Sequence, residues 1–183
     1  MRGYFGIGVE RFSKPMNAGN LFRSAHAFGA SFVFTIAATY SVKAARSDTS
    51  RTPEHLPWYD YGAAADLVLP QDCQLVGVEL LDEAVELPSF RHPIRAAYIL
   101  GPERGSLSPE ITARCDHLLK IPTSFCINVA TAGAIVMYDR IASLGRFAER
   151  PVGTTKNAAN ASEPPALAHL FGKPKARTHS HGG

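Results

Sequence analysis

The sequence predicts an α/β fold in which helices cover both faces of a mostly parallel sheet. Three observations support this fold class: apolar runs of strand length recur, helical patterns lie between several of them, and the runs are continuously apolar. Continuous runs are typical of strands that are buried on both faces, as in parallel sheets. The predicted strands cover residues 4–9, 31–37, 75–81, 96–100 and 117–121.

The first helix is expected directly after the first strand. Either Asn17 or Asn20 could cap its start, and Gly29 ends it. Arg23 falls opposite the apolar stripe and is therefore expected to face solvent. The stripe consists of Leu21, Phe22, Ala25 and Phe28.

The next segment, residues 41–61, shows no sustained hydrophobic period and is predicted to be a long loop. Loops of this length are uncommon unless they are functional. Its arginines are interleaved with aromatic residues such as Trp58 and Tyr59, a combination that suits stacking on unpaired RNA bases. Burial of both aromatic side chains beneath the loop is the alternative.

Two further helices are predicted in the second half of the chain. One starts at Ser108 and Pro109, and the other covers residues 128–146. The first half of the last helix is apolar nearly all round, so the sheet or a second subunit must cover it. Residues 1–150 are predicted to form one domain, followed by a disordered low-complexity tail at 151–183.

The formal charge of +3 is confined to that tail. Residues 151–183 hold four Lys or Arg residues and one Glu, so the rest of the chain is neutral overall. Nucleic-acid binding by the folded domain must therefore come from a local basic patch and not from a global field.

The cysteines and the apolar segments indicate a cytoplasmic protein. Cys73, Cys115 and Cys126 are odd in number and far apart, which fits neither a zinc site nor a disulfide framework. The N-terminus lacks the pattern of a signal peptide, and the longest apolar stretch, residues 127–138, is too short to cross a bilayer. We expect no metal and no membrane partner.

The first candidate site is the segment from Asn17 to Arg23, Asn-Ala-Gly-Asn-Leu-Phe-Arg. Free N–H groups at a helix start and a fixed guanidinium would hold an anion such as an RNA phosphate. A capped helix with one solvated arginine is the alternative.

The second candidate site is Ile-Leu-Gly-Pro-Glu-Arg-Gly at residues 99–105, where a buried strand enters a turn. Ligands of open α/β sheets bind at the carboxyl ends of strands, which favours a cofactor site here. A plain strand-to-helix turn is the alternative.

The third candidate site is Ile-Pro-Thr-Ser-Phe-Cys-Ile-Asn at residues 121–128, where an apolar strand passes through a short loop into the last helix. Taken alone, Asn128 could be only an N-cap and Cys126 only a small buried side chain.

In their order and spacing, the three segments resemble the motifs of the SpoU, or TrmH-like, branch of the SPOUT RNA methyltransferases, over residues 4–146. The resemblance implies a deep trefoil knot in the C-terminal half of the domain, an exception to the general absence of knots. It also implies S-adenosylmethionine as cofactor and a homodimer with the active site at the subunit interface.

Specific residues carry the family's roles. The resemblance assigns the cofactor pocket to Val78, Gly101, Ile121, Cys126 and Ile127, largely through backbone contacts. It assigns the catalytic positions to Asn17, Arg23, Glu103 and Asn128.

The function implied is methyl transfer to a ribose hydroxyl of tRNA or rRNA. The family mechanism makes Arg23 a proton acceptor, but a guanidinium stays charged, so Arg23 is expected to position the target phosphate and hydroxyl. Cys126 stands where the family commonly has serine, and a thiol is the weaker hydrogen-bonding group. Base methylation by the same fold, or an RNA-binding factor with weak or no catalysis, is the alternative.

Overall fold

A parallel sheet of seven strands forms the centre of the chain, as the sequence predicts. The computed structural model describes residues 3–39, 55–102, 104–145 and 147. Within these residues the strand order is β3-β2-β1-β6-β4-β7-β5, and every neighbouring pair is parallel. The strands are β1 (Tyr4–Glu10), β2 (Phe32–Ile36), β3 (Trp58–Tyr61), β4 (Gln74–Val78), β5 (Val85–Glu86), β6 (Arg95–Leu100) and β7 (His117–Lys120).

Helices cover both faces of this sheet, and two apolar cores result. Helices α1 (Pro15–Ala27) and α3 (Val129–Leu144) pack together over one face, where Ile7 and Tyr98 are fully buried. The short helix α2 (Pro109–Arg114) covers the other face with Leu107 and Leu67. The α/β prediction is therefore confirmed, with the core on each side of β1, β6 and β4.

The contact between α1 and α3 depends on a small residue. A Cβ built on Gly133 of α3 would lie 2.2 Å from Cδ1 of Leu21 on α1. Such a distance is far below van der Waals contact, so a side chain at residue 133 would require the buried Leu21 side chain to move.

The prediction of one loop over residues 41–61 was wrong for its last four residues. Trp58–Tyr61 forms the edge strand β3, which pairs with β2. The indole N–H of Trp58 donates to Thr35 Oγ1 (3.3 Å), and the Thr35 hydroxyl donates to Asp60 Oδ1 (2.6 Å). Trp58 is half-buried and Tyr59 is 49% exposed. Residues 40–54 lie outside the described residues.

The predicted cap of α1 was also wrong. The helix begins at Pro15 after Lys14, and no side chain caps it. Proline is favoured at this position because its missing N–H would be unpaired in any case. The other end is confirmed, since Gly29, with φ +73°, follows the last helical turn.

The later helix starts are confirmed. Ser108 Oγ accepts from the Ile111 N–H (3.2 Å) at the start of α2. The Asn128 side chain accepts from the N–H groups of Ala130 (2.9 Å) and Thr131 (3.4 Å) at the start of α3. None of the described helices is long and apolar enough to cross a membrane.

All these elements belong to one compact unit, Met1–Gly145. Residues 151–183 lie outside the described residues, so the domain boundary at residue 150 and the disordered tail stay predictions. The trefoil knot also stays a prediction of the resemblance.

A buried polar network joins α3 to the beginning of β6. Arg140, which is 1% exposed, donates to the carbonyl oxygens of Pro93 (2.6 Å) and Ile94 (2.8 Å) and to the Tyr98 hydroxyl (3.0 Å). Because the Tyr98 hydroxyl accepts this bond, its own O–H donates to His92 Nδ1 (2.6 Å). The Nε2–H of His92 then donates to the Asp139 carboxylate (2.9 Å). Burial lowers the pKa of His92, although Asp139 opposes this effect.

Candidate active site

A cleft opens at the carboxyl ends of three neighbouring strands. It lies where β4, β6 and β7 end and where α3 begins, and it encloses about 710 Å³ counted to its open mouth. The lining residues are Val78, Glu79, Leu80, Leu100, Gly101, Pro102, Gly105, Ile121, Thr123, Cys126, Ile127, Val129 and Ala132. All five residues that the resemblance assigned to the cofactor are among them.

The wall that follows β6 needs a glycine. A Cβ built on Gly101 would lie 3.1 Å from the Leu107 nitrogen and 3.3 Å from Oε2 of Glu79. Both distances are tighter than ordinary van der Waals contact, so a side chain at this position would push the loop away from β4. Glycine lets the loop fold back close to the sheet.

Side chains at the ends of β1 and β4 hold the other end of this loop. Glu79 Oε2 accepts from the Leu107 N–H (2.8 Å), and Glu10 Oε2 accepts from the Ser108 N–H (2.7 Å). The Arg11 guanidinium donates to the Ser106 carbonyl oxygen (2.7 Å). The loop between β6 and α2 is therefore fixed at its α2 end by three hydrogen bonds.

The wall that follows β7 is shaped by its own hydrogen bonds. The Thr123 N–H donates to the Ile121 carbonyl oxygen (2.8 Å), and the Thr123 hydroxyl donates to the Phe125 carbonyl oxygen (2.9 Å). Cys126, a free thiol, is exposed and lines the cleft. The alternative interpretation of Cys126 as a small buried side chain is therefore wrong.

Asn128 connects the cleft to the first motif. Its Oδ1 caps α3, and its Nδ2 donates to Oδ1 of Asn17 on α1 (3.0 Å). Because Ile127 and Val129 on either side of it line the cleft, Asn17 is held beside the cleft by a hydrogen bond between side chains 111 positions apart. This bond also fixes the orientation of the Asn17 amide.

Arg23 follows Asn17 on the same helix. It is exposed, as predicted, and its side chain makes no hydrogen bond or ion pair with the residues that the structure describes. Glu103 lies outside the described residues, so its assignment stays a prediction. The structure thus brings together Asn17, Asn128 and the five predicted cleft residues, with Arg23 exposed on the helix that carries Asn17.

The chemistry of the cleft suits an organic ligand better than a metal ion. Most lining side chains are aliphatic or absent, and the polar ones belong to Glu79, Thr123 and Cys126. The described residues contain no group of three or more His, Cys, Asp or Glu residues that could hold a metal ion.

The comparisons with known proteins agree with the motifs. Residues 5–138 match the model of the SpoU rRNA Methylase family. The chain belongs to this family. Among curated proteins, a sequence search finds no significant match.

Solved structures of SpoU and related methyltransferases share the fold. An rRNA methyltransferase from Sinorhizobium meliloti superposes with a TM-score of 0.70 at 21% identity, over 78% of this chain and 57% of that one. The SpoU methyltransferase AviRb from Streptomyces viridochromogenes, in complex with AdoMet, gives 0.68 at 20% identity, over 76% and 57%. This chain thus spans less than three fifths of either protein.

A third solved structure, which concerns the 2-OH methylation of C/U34 on tRNA, is matched over the whole length of that protein. Its TM-score is 0.67 at 22% identity, with coverage of 80% of this chain and 100% of that one. At these identities the three likenesses establish the fold alone.

Within this SpoU fold, sequence reasoning missed several residues of the cleft. Glu79 and Leu80 were assigned to the predicted strand 75–81, but β4 ends at Val78. Thr123 was seen only as part of a loop. A signal was available for Glu79, because a charged residue that interrupts an apolar run is a candidate for the carboxyl edge of a sheet.

Proposed function

We propose that the protein transfers a methyl group from S-adenosylmethionine to a ribose 2′-hydroxyl of tRNA or rRNA. The observation that carries this proposal is the cleft at the ends of β4, β6 and β7, beside which the Asn17–Asn128 hydrogen bond is made. Membership of the SpoU rRNA Methylase family supports RNA as the substrate. The AdoMet complex of one structural neighbour supports the cofactor, and the 2-OH methylation of C/U34 on tRNA that another concerns supports a hydroxyl as the acceptor.

The residues present fit this cofactor. Backbone groups at Val78, Gly101 and Ile121 would hold its polar parts, while Cys126 and Ile127 would close over it. The cofactor supplies a methyl group that its positive sulfur already makes strongly electrophilic. The chain must therefore hold and orient the reactants, and it has no need to generate the electrophile.

The ribose hydroxyl is the less reactive of the two substrates, because a protonated hydroxyl is a poor nucleophile. We propose that Arg23 grips the target phosphate and hydroxyl with its planar guanidinium. A guanidinium remains charged at all accessible pH values, so the proton is lost partly to solvent or to another group. Asn17, held by Asn128, orients the hydroxyl, and Glu103 is proposed as the acidic group of the site.

The proposal includes a homodimer in the cytoplasm. Ile135 and Tyr138 lie one turn apart on α3 and are 38% and 57% exposed. Large apolar side chains in this arrangement are typical of a helix face that meets a partner. The cytoplasmic location rests on the three free cysteines, which suit a reducing compartment.

Mass spectrometry of modified nucleosides tests the proposal. Purified protein would be incubated with labelled S-adenosylmethionine and with tRNA or rRNA from cells that lack the gene. We expect a 2′-O-methylated nucleoside, absent with Gly101→Val, whose side chain would crowd the Leu107 nitrogen and Glu79. Label on a base would show base methylation and overturn the proposal of ribose methylation. Failure to bind the cofactor would favour an RNA-binding factor without catalysis.

A further inference from the structure

Two carboxylates hold consecutive peptide groups of the loop that follows β6. Glu79, after β4, accepts from the Leu107 N–H at 2.8 Å, and Glu10, the last residue of β1, accepts from the Ser108 N–H at 2.7 Å. Since β1 and β4 flank β6 in the sheet, the loop is gripped from both sides. Both carboxylates contribute to the shape of the cleft wall in this way.

The two carboxylates differ in what else they face. Glu10 is 2% exposed, does not line the cleft and lies 3.7 Å from the Arg11 guanidinium. Glu79 lines the cleft, and its Oε2 lies 3.3 Å from the position of a Cβ on Gly101. Its other oxygen accepts from the Leu80 N–H (3.1 Å). Glu79 has no Lys or Arg partner among the described residues.

Glu79 is the only acidic or basic side chain among the described residues that line the cleft. The remaining described lining residues are aliphatic, glycine, proline, threonine or cysteine. An acidic group in a cleft with low-dielectric walls creates a field that extends over several ångströms and is only partly screened by salt. Such a field favours a cationic ligand over a neutral one of the same shape.

We propose that Glu79 determines specificity for the charged state of the cofactor, so that the cleft prefers S-adenosylmethionine to S-adenosylhomocysteine. This inference rests on the proposed function. The two ligands differ by one methyl group and by the positive charge on sulfur, which is lost when the methyl group leaves. A negative cleft therefore binds the substrate more tightly than the product, which promotes product release after transfer.

A purely structural role for Glu79 makes a different prediction. If it acted only by anchoring the loop, its loss would weaken both ligands by the same factor, as we expect for loss of Glu10. Loss of a negative charge that acts on the positive sulfur should instead lower the ratio of the two affinities. Glu10→Gln is therefore a matched control, since it neutralises the other carboxylate that holds this loop, and Glu10 does not line the cleft.

Calorimetric titration with S-adenosylmethionine and S-adenosylhomocysteine tests the inference. Glu79→Gln keeps an oxygen that can accept from the Leu107 N–H. For this variant we expect the preference for S-adenosylmethionine over S-adenosylhomocysteine to fall roughly three- to thirtyfold, which is the size expected for two charges several ångströms apart in a partly solvated site. Glu79→Asp should restore the preference, and Glu10→Gln should leave it unchanged. An unchanged ratio in Glu79→Gln would overturn the inference.

A second measurement on the unmodified protein covers the case in which a variant does not fold. Raising the salt concentration should weaken binding of S-adenosylmethionine more than binding of S-adenosylhomocysteine. Equal salt dependence would contradict a role for charge. If the unmodified protein bound neither ligand, the proposed function would fail together with this inference, whereas an unchanged ratio would overturn the inference alone.

Discussion

Replacement of Arg23 by alanine separates the proposed reaction from folding and from cofactor binding. Arg23 is exposed, its side chain has no hydrogen bond or ion pair with the described residues, and it does not line the cleft. Substitutions at such positions change the free energy of unfolding by about 0.5 kcal/mol or less. We therefore expect the melting temperature and the affinity for S-adenosylmethionine to stay near those of the unmodified protein.

The rate of methyl transfer should respond differently. Removal of one charged or polar group that stabilises a transition state typically costs about 3–4 kcal/mol, which corresponds to a fall in rate of roughly 100- to 1,000-fold. Arg23→Lys should lose nearly as much, because a point charge does not reproduce a planar contact with two prongs. The assay is transfer of labelled methyl to the identified RNA, with calorimetric titration of the cofactor in parallel.

Arg95→Ala provides a matched control. Arg95 is also exposed, but it begins β6, five residues before Leu100 in the cleft and about 16 Å from it along an extended strand. In its ion pair with Asp72 (2.9 Å) both side chains are exposed, so the pair is expected to contribute about 1 kcal/mol or less to the free energy of unfolding. Full activity of Arg23→Ala, or equal losses in both variants, would refute the proposed role of Arg23.

Four other predictions follow from particular contacts. Gly133→Ala should lower the free energy of unfolding by about 1 kcal/mol in urea denaturation, because its Cβ would lie 2.2 Å from Leu21 Cδ1 and overpacking of about 1–3 kcal/mol exceeds the gain of about 1 kcal/mol in helix propensity; an unchanged or higher stability would contradict the close helix contact. The pKa of His92 is lowered by burial from the usual 6.5, so its contribution to stability is present above about pH 6.5 and is lost as the pH falls; this pH dependence of the melting temperature should be smaller in His92→Gln. Light scattering should give a dimer at low micromolar concentration, and a monomer with an intact cofactor site would count against the exposed face of α3 as an interface. Cys126→Ser should retain methyl transfer in the labelled assay, since the cofactor contacts at this position are proposed to be made by the backbone; loss of transfer would show that the thiol itself is needed.

Four of the five strands that the sequence predicted, β1, β2, β4 and β6, are buried along most of their length. Residues 4–9 and 96–100 are continuous apolar runs because β1 and β6 lie at the centre, with helices on either side. The edge strands gave no such signal. β3 has four residues and β5 has two, and neither stretch is long enough to show a period. Both exist because β2 and β7 offer them an edge to pair with, which is a tertiary effect.

The error at the start of α1 has a similar cause. Asn17 was a reasonable cap by residue type, but Pro15 at the start of the helix places it inside the first turn. Its side chain instead accepts a hydrogen bond from Asn128, 111 positions away in the sequence. Propensity describes what a residue does with its own backbone, so it could not show a partner on another helix.

The two carboxylates that hold the loop after β6, Glu10 and Glu79, could not be recognised from the sequence. The resemblance could assign five residues to the cofactor because four of them lie in the motifs after β6 and β7, whereas Glu10 and Glu79 were each a single carboxylate beside apolar residues. Their meaning depends on the strand order, in which β1 and β4 are separated by most of the first half of the chain and yet lie on either side of β6. Only that order brings the two carboxylates to the adjacent amides of Leu107 and Ser108. The same order leaves Glu79 facing the cleft and Glu10 behind it, so two residues of similar appearance in the sequence are expected to differ in their effect on cofactor selectivity.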